Sequence, residues 1–378
     1  MATLLNTTIN STDSLVLPSN ASATAQGVAK LRINTASSQN TLEFADGNYW
    51  RPVTGYSQGT VGTGGNAIMY TRNNIVHMFT SVGSATFTPS FTGNIQVLIV
   101  GGGGGAGNTW GGGGGGGGVV YQRNYPVTAG TPYPVNVGGG GSNANHTSGG
   151  GGNSTFNGIT ANGGGGGGSW THSSGGGWPS PTSGQSGASG GGGSNTGDGT
   201  DSRIKSAGGL GIAGQGFPGG SGVRYNAQGD NAHQGGGGGG AGGTGGSMSD
   251  TYNNRRNGWN GDLIQGGPGM ASNILGQTLY WGGGGAGGAH IGFGYAVGGV
   301  GGGGGGSSHH TGPYGSPAAR HGEGGGQALN RGYGGPSDGQ QGHGVASGWQ
   351  GGANTGGGGG GGCHGHAGGG SGIVVIKY

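Results

Sequence analysis

The sequence predicts an all-β protein, and three observations carry that prediction. Apolar runs with strand periodicity recur at AIMYTRNNIVHMFTS, ATFTPSF, NIQVLIV, VVYQRNYPV, TPYPVNV and NSTFNGITAN. Glycine supplies 118 of 378 residues, in unbroken blocks rather than at every third position and with only 13 prolines, which excludes collagen. After a long glycine-dominated stretch the chain returns to a strand-like run, SGIVVIKY at residues 371–378, so that stretch is anchored at both ends. The architecture expected is a small N-terminal β-unit, then a jelly-roll-like β-sandwich carrying a large inserted bundle of polyglycine II helices, with almost no α-helix.

Residues 1–65 hold few glycines and form the first region. Within it GVAKLRINTASSQNTLEFADGNYWRPV reads as a short β-unit: Ala29, Leu31 and Ile33 alternate with Lys30 and Arg32, and Asp46-Gly47 supplies a turn. So few apolar residues cannot offset chain entropy alone, which points to an oligomerising or attachment role. Residues 66–168 together with 368–378 are assigned to the sandwich, and residues 169–367 to the glycine-rich insertion with exposed loops.

Blocks of pure glycine occupy residues 101–105, 111–118, 163–168, 235–240, 301–306 and 356–362. In the threefold extended helix the rise is ~3.1 Å per residue, so an eight-glycine run spans about 25 Å. Without side chains, several such helices approach until the N–H groups of one meet the C=O groups of the next. The positions expected to be structural on this reading include Gly101, Gly111, Gly114, Gly118, Gly163, Gly235, Gly301 and Gly356. The competing reading of the blocks is a set of flexible linkers.

Composition removes several function classes. A net charge of +3, from 13 basic and 10 acidic residues, leaves no footprint for nucleic acid. A single cysteine, Cys363, makes no internal disulfide. The N-terminal stretch MATLLNTTINSTDSLVLPSN lacks the pattern of a signal peptide, and no apolar run is long enough to span a membrane, so neither secretion nor membrane insertion is expected.

ATFTPSFTGNIQVLIVGGGGGAG, TPYPVNVGGGG, GGNSTFNGITANGGGGGG and the terminal GGSGIVVIKY resemble the glycine-rich domain of bacteriophage tail fibres and adhesins. They are more remotely similar to the glycine-rich extracellular domain of anaplastic-lymphoma-type receptor kinases. LRINTASSQNTLEFADGNYWRPV resembles a short β-unit of phage tail and fibre proteins. What the resemblance implies is a non-enzymatic virion protein made in the host cytoplasm. It would be a homotrimer that joins other virion proteins through residues 1–65 and binds host surface polysaccharide or lipopolysaccharide. It also implies that non-glycine inserts serve recognition.

Three inserts stand out: SWTHSSGGGWPSPTSG with Trp170 and Trp178, MSDTYNNRRNGWNGD with Tyr252, Arg255, Arg256 and Trp259, and QTLYWGGGG with Tyr280 and Trp281. Aromatic faces stack on sugar rings, while Asn, Asp and Arg direct hydrogen bonds to hydroxyls or anionic groups. The alternative for each aromatic is a cap that seals the end of a glycine bundle. His364 and His366 form an H-x-H pair, which by resemblance to trimeric phage fibres would hold an axial metal ion; His as a polar spacer is the plainer reading. Asp198 and Asp201 lie close in sequence but do not by themselves make a glycosidase pair, and no phosphate-loop motif occurs, so no catalytic residue is assigned. A decoration or fibre-shaft protein without receptor function is the structural alternative. An ice-binding polyglycine-helix protein is a remoter one.

Overall fold

The computed structural model describes residues 27–34, 41–47, 50–52, 61–70, 74–142, 148–171, 180–194, 205–227, 230–247, 264–289, 296–308, 320–321, 323–333, 348–362 and 367–378. Two units separate: Met1–Val61 with Tyr70–Ile75, and Gly62–Met69 with Val76–Tyr378. In the first, β1 (Gly27–Asn34), β2 (Thr41–Gly47) and β3 (Trp50–Pro52) form an antiparallel sheet in sequence order. Among the described residues there is no α-helix, and the fold is all-β.

The next strands are β4 (Ala67–Tyr70), β5 (Ile75–Phe79), β6 (Gly83–Phe87), β7 (Gly93–Val100), β8 (Val119–Val127), β9 (Tyr133–Val137), β10 (Ser154–Phe156) and β11 (Ile159–Ala161). Short pairs follow inside the glycine-rich region: β12 (Trp170–Thr171) with β13 (Ser180–Pro181), then β14 (Lys205–Ser206), β15 (Gly222–Ala227) and β16 (Asp230–Gln234) as one sheet. β17 (Met270–Ser272) pairs with β18 (Leu279–Trp281), and β19 (Ser307–Ser308) with β20 (Arg320–His321). β21 (Ile373–Lys377) is the closing strand, and it lies in the middle of a five-stranded sheet of order β4-β5-β21-β7-β8. A four-stranded sheet of order β11-β10-β9-β6 makes the second layer.

Strand period explains how the layers pack. Ile95, Val97 and Ile99 of β7 and Val374 and Ile376 of β21 project to one face. There they meet Phe87, Tyr133, Val135, Val137, Phe156 and Ala161 of the four-stranded sheet, and this is the sandwich core. Their neighbours Leu98, Val100, Ile373 and Val375 project to the opposite face. That face is also covered, by Ile274, Leu279 and Trp281 of the β17–β18 hairpin and by Ala241. A strand buried on both sides reads as a continuous apolar run, as IQVLIV and IVVI do. The glycine-rich region therefore folds back onto the sheet, and Trp281 is at the centre of the contact with 0% exposure.

Candidate recognition surface

The hydrogen bonds of residues 111–118 define how the glycine runs pack. Gly112, Gly115 and Gly118 donate to Gly168, Gly165 and Asn162. Gly113 and Gly116 donate to Gly236 and Gly239, and Gly114 and Gly117 to Gly359 and Gly356. Successive N–H groups thus turn to three different neighbours and return after three residues, the signature of a threefold helix. Acceptor numbers fall along the first and third neighbours and rise along the second, so antiparallel and parallel neighbours coexist.

Three further runs donate to this one: Gly104 to Gly115, Gly192 to Gly113 and Gly285 to Gly114. The 111–118 helix is therefore enclosed by runs around 101–107, 162–168, 189–194, 235–240, 282–288 and 356–362, in a hexagonal arrangement of backbones. Glycine is required because the helix surfaces touch directly. A Cβ placed on Gly114 would lie 2.7 Å from the Gly104 carbonyl carbon, closer still to its oxygen, and 2.9 Å from the Gly105 oxygen. The runs at 101–107, 111–118, 138–142 and 149–153 join this lattice, so it draws on chain from both sides of residue 168.

The lattice has two distinct ends. At the end next to the sandwich, Gly101 pairs with Gly118, Gly117 donates to Gly356, Gly282 to Thr355 and Ala241 to Gly282. The chain reverses there by tight turns at 187–189, 213–215, 241–243, 300–302, 327–330 and 353–356. Glycines at positive φ serve several of them, such as Gly214 (79°), Gly302 (91°) and Gly356 (69°). Gln215 ties one turn to the sandwich by accepting from the Asn162 N–H at 2.8 Å.

At the far end a second set of bonds links the runs: Trp110 donates to Gly362, Gly288 to Gly111, Ala289 to Ser307 and Ser307 to Gly361. Gly149 donates to Ser142, Ser194 to Thr182, Gly246 to Gln265 and Gly305 to Tyr333. Apart from Trp110, Gly111 and Gly288, these residues lie at or near the flanks of the segments 143–147, 172–179, 195–204, 248–263, 290–295, 309–319, 334–347 and 363–366. Both flanks of every one of these segments lie at the far end. The flanks of the long connections thus gather at one end of the lattice, together with the short 108–110 turn, whereas the other short turns lie at the opposite end.

An aromatic cluster closes the far end among the described residues. Trp110 stacks on His233 with ring centroids 4.5 Å apart and planes at 12°, and meets Trp170 at 5.1 Å. Trp110 and His233 are both buried. Thr109 and Trp110 hold φ values of 49° and 50°, which side-chain-bearing residues rarely adopt. Asn108 supports that turn, its Oδ1 accepting from the Thr109 N–H at 2.8 Å.

The candidates named from sequence divide accordingly. Trp281 is fully buried in the sheet contact and offers no surface to a ligand, which corrects its assignment as a recognition residue. Tyr280 is half-buried beside it, its N–H donating to Gln327 at 2.7 Å at the sandwich end. Trp170 is half-buried against Trp110. Trp178, Tyr252, Arg255, Arg256 and Trp259 lie outside the described residues, as do Asp198, Asp201, His364 and His366. Among the described residues no group of three or more His, Cys, Asp or Glu is placed to hold a metal ion. Gly101, Gly111, Gly114, Gly118, Gly163, Gly235, Gly301 and Gly356 all sit in the lattice or its turns. Sequence reading missed Trp110 and His233, whose signal was weak: a lone Trp between two glycine blocks and a His before a third.

A fold of side-chain-free helices packed in a hexagonal lattice beside an antiparallel sandwich defines a glycine-rich scaffold. A family model described as a glycine-rich domain matches residues 80–326, and the chain belongs to that family. No curated protein matches the chain.

Proposed function

We propose that this protein is a bacteriophage virion component, a tail fibre or adhesin that binds a host cell-surface glycan through the far end of its glycine lattice. The observation that carries the reading is the segregation of connections. A lattice whose reversals were only structural would need no more than tight turns, whereas here the chain carries long connections and the flanks of all of them lie at one end. Recognition residues are commonly placed on loops held by a rigid scaffold. The connections whose flanks lie at this end include, in sequence, Trp178, Tyr252, Arg255, Arg256 and Trp259, a mixture suited to stacking on sugar rings and to bidentate pairing with anionic substituents. Residues 1–65 would attach the protein to the particle, and a trimer would present three such ends together.

The test is adsorption. Purified full-length protein should bind host cells and reduce phage attachment in competition. The combined Arg255→Ala, Arg256→Ala, Trp259→Ala variant should lose most of that effect while unfolding at the same denaturant concentration. Wild-type protein that neither binds nor competes would replace this reading with a decoration or shaft protein.

A further inference from the structure

We propose that His77, Tyr378 and the segment Gly62–Gly64 form an acid-sensitive latch that fastens the start of the second unit to the sandwich. Gly62 is where that unit begins, and His77 lies on β5, next to β21 in the five-stranded sheet. His77 Nδ1 is 2.6 Å from the Gly64 carbonyl oxygen, and Nε2 is 2.9 Å from the Tyr378 hydroxyl. A carbonyl only accepts, so Nδ1 carries the proton and Nε2 is the acceptor. The Tyr378 hydroxyl therefore donates to Nε2, and it accepts from the Gly62 N–H at 2.9 Å. While the imidazole is neutral, every donor in this set, the Tyr378 O–H included, has an acceptor.

Adding a proton at Nε2 sets two donors against each other. The Tyr378 O–H must then turn away, in a pocket where His77 has 0% exposure and its ring is bounded by Tyr378 at 5.6 Å and Phe87 at 5.2 Å. Burial lowers the His77 pKa below its ordinary 6.5, and the bond to Gly64 opposes this only in part. Tyr378 is the titratable side chain facing the ring; Phe87, Gly64 and the register partner Ile376 bring none. With the folded pKa below the unfolded one, the unfolded or opened state binds more protons. The stabilising contribution is complete above about pH 6.5 and is lost as pH falls from there toward the lowered folded value.

Hydrogen exchange on the full chain reads the latch directly, with rates normalised for intrinsic chemistry and Gly112–Gly118 as the internal reference. From about pH 7.5 to about pH 5, protection of residues 61–66 should fall severalfold relative to the Gly112–Gly118 reference. His77→Phe keeps an aromatic ring but does not titrate, so its protection should be independent of pH. Should that variant fail to fold, Tyr378→Phe removes only the hydroxyl, and it should show at the higher pH the protection that wild type shows in acid. Unchanged wild-type protection, or an equal fall in His77→Phe, would overturn the proposal, as would wild-type protection in Tyr378→Phe at the higher pH.

Discussion

Adding a single methyl group at Gly114 should destabilise the protein by about 3 kcal/mol, the upper end of what overpacked cores show. Gly114 sits midway along the enclosed helix, and the atoms its Cβ would meet are the Gly104 carbonyl carbon at 2.7 Å and the Gly105 oxygen at 2.9 Å. Both belong to backbone, so no rotamer change relieves the overlap. Restoring ordinary contact needs the 101–107 run to retreat by at least about 0.8 Å, given heavy-atom contacts of about 3.5 Å. That movement strains the bonds from Gly104 to Gly115, 2.8 Å long, and from Gly359 to Gly104, 2.9 Å long. Each such bond is worth about 1 kcal/mol. Alanine returns up to about 1 kcal/mol by restricting the unfolded chain, which does not offset these losses. Gly139→Ala is the matched control, because its Cβ would meet only Val82 Cγ1 at 3.6 Å. It should be neutral or slightly stabilising. Denaturant unfolding followed by tryptophan fluorescence compares the two. Equal midpoints for Gly114→Ala and Gly139→Ala would refute direct backbone packing.

Three other outcomes follow from the same geometry. Trp281→Ala should cost about 3–5 kcal/mol, as for buried aromatics elsewhere, and far more than Trp170→Ala; similar unfolding midpoints would contradict the sheet contact. Thr109→Gly relieves a left-handed backbone and should raise stability by about 1 kcal/mol, whereas Asn108→Ala should lower it by about as much. A midpoint that moves the other way for either variant would show that the Asn108–Trp110 turn is not held as described.

Much of this architecture was legible in the sequence because strand period and block length are local signals. IQVLIV and GIVVIKY announced strands buried on both faces, and they pair side by side as β7 and β21. The glycine blocks announced threefold helices because no other packed structure needs runs without side chains. Which run neighbours which was not legible, since every glycine presents the same donor and acceptor, and only the three-dimensional closure of the chain selects Gly168, Gly236 and Gly359 as successive partners of one helix. Trp281 misled because an aromatic beside a glycine block serves equally as a cap, a ligand platform or a core residue; its burial depends on a sheet whose strands lie far away on both sides of it in the chain. The two-ended lattice did leave a trace. Short separators such as AGQ at 213–215 and AGG at 241–243 alternate with long polar inserts, and an alternation of short and long connections is what an up-and-down bundle with one elaborated end requires.

The central claim is that the glycine runs are a hydrogen-bonded lattice and not linkers, and amide hydrogen exchange across Gly111–Gly118 tests it most directly. Gly112 through Gly118 each donate to a backbone acceptor on a neighbouring run, so their amides should exchange as one group, as slowly as those of β7 and β21. Exchange of this stretch at the rate of an unstructured peptide, while the strands remain protected, would contradict the lattice.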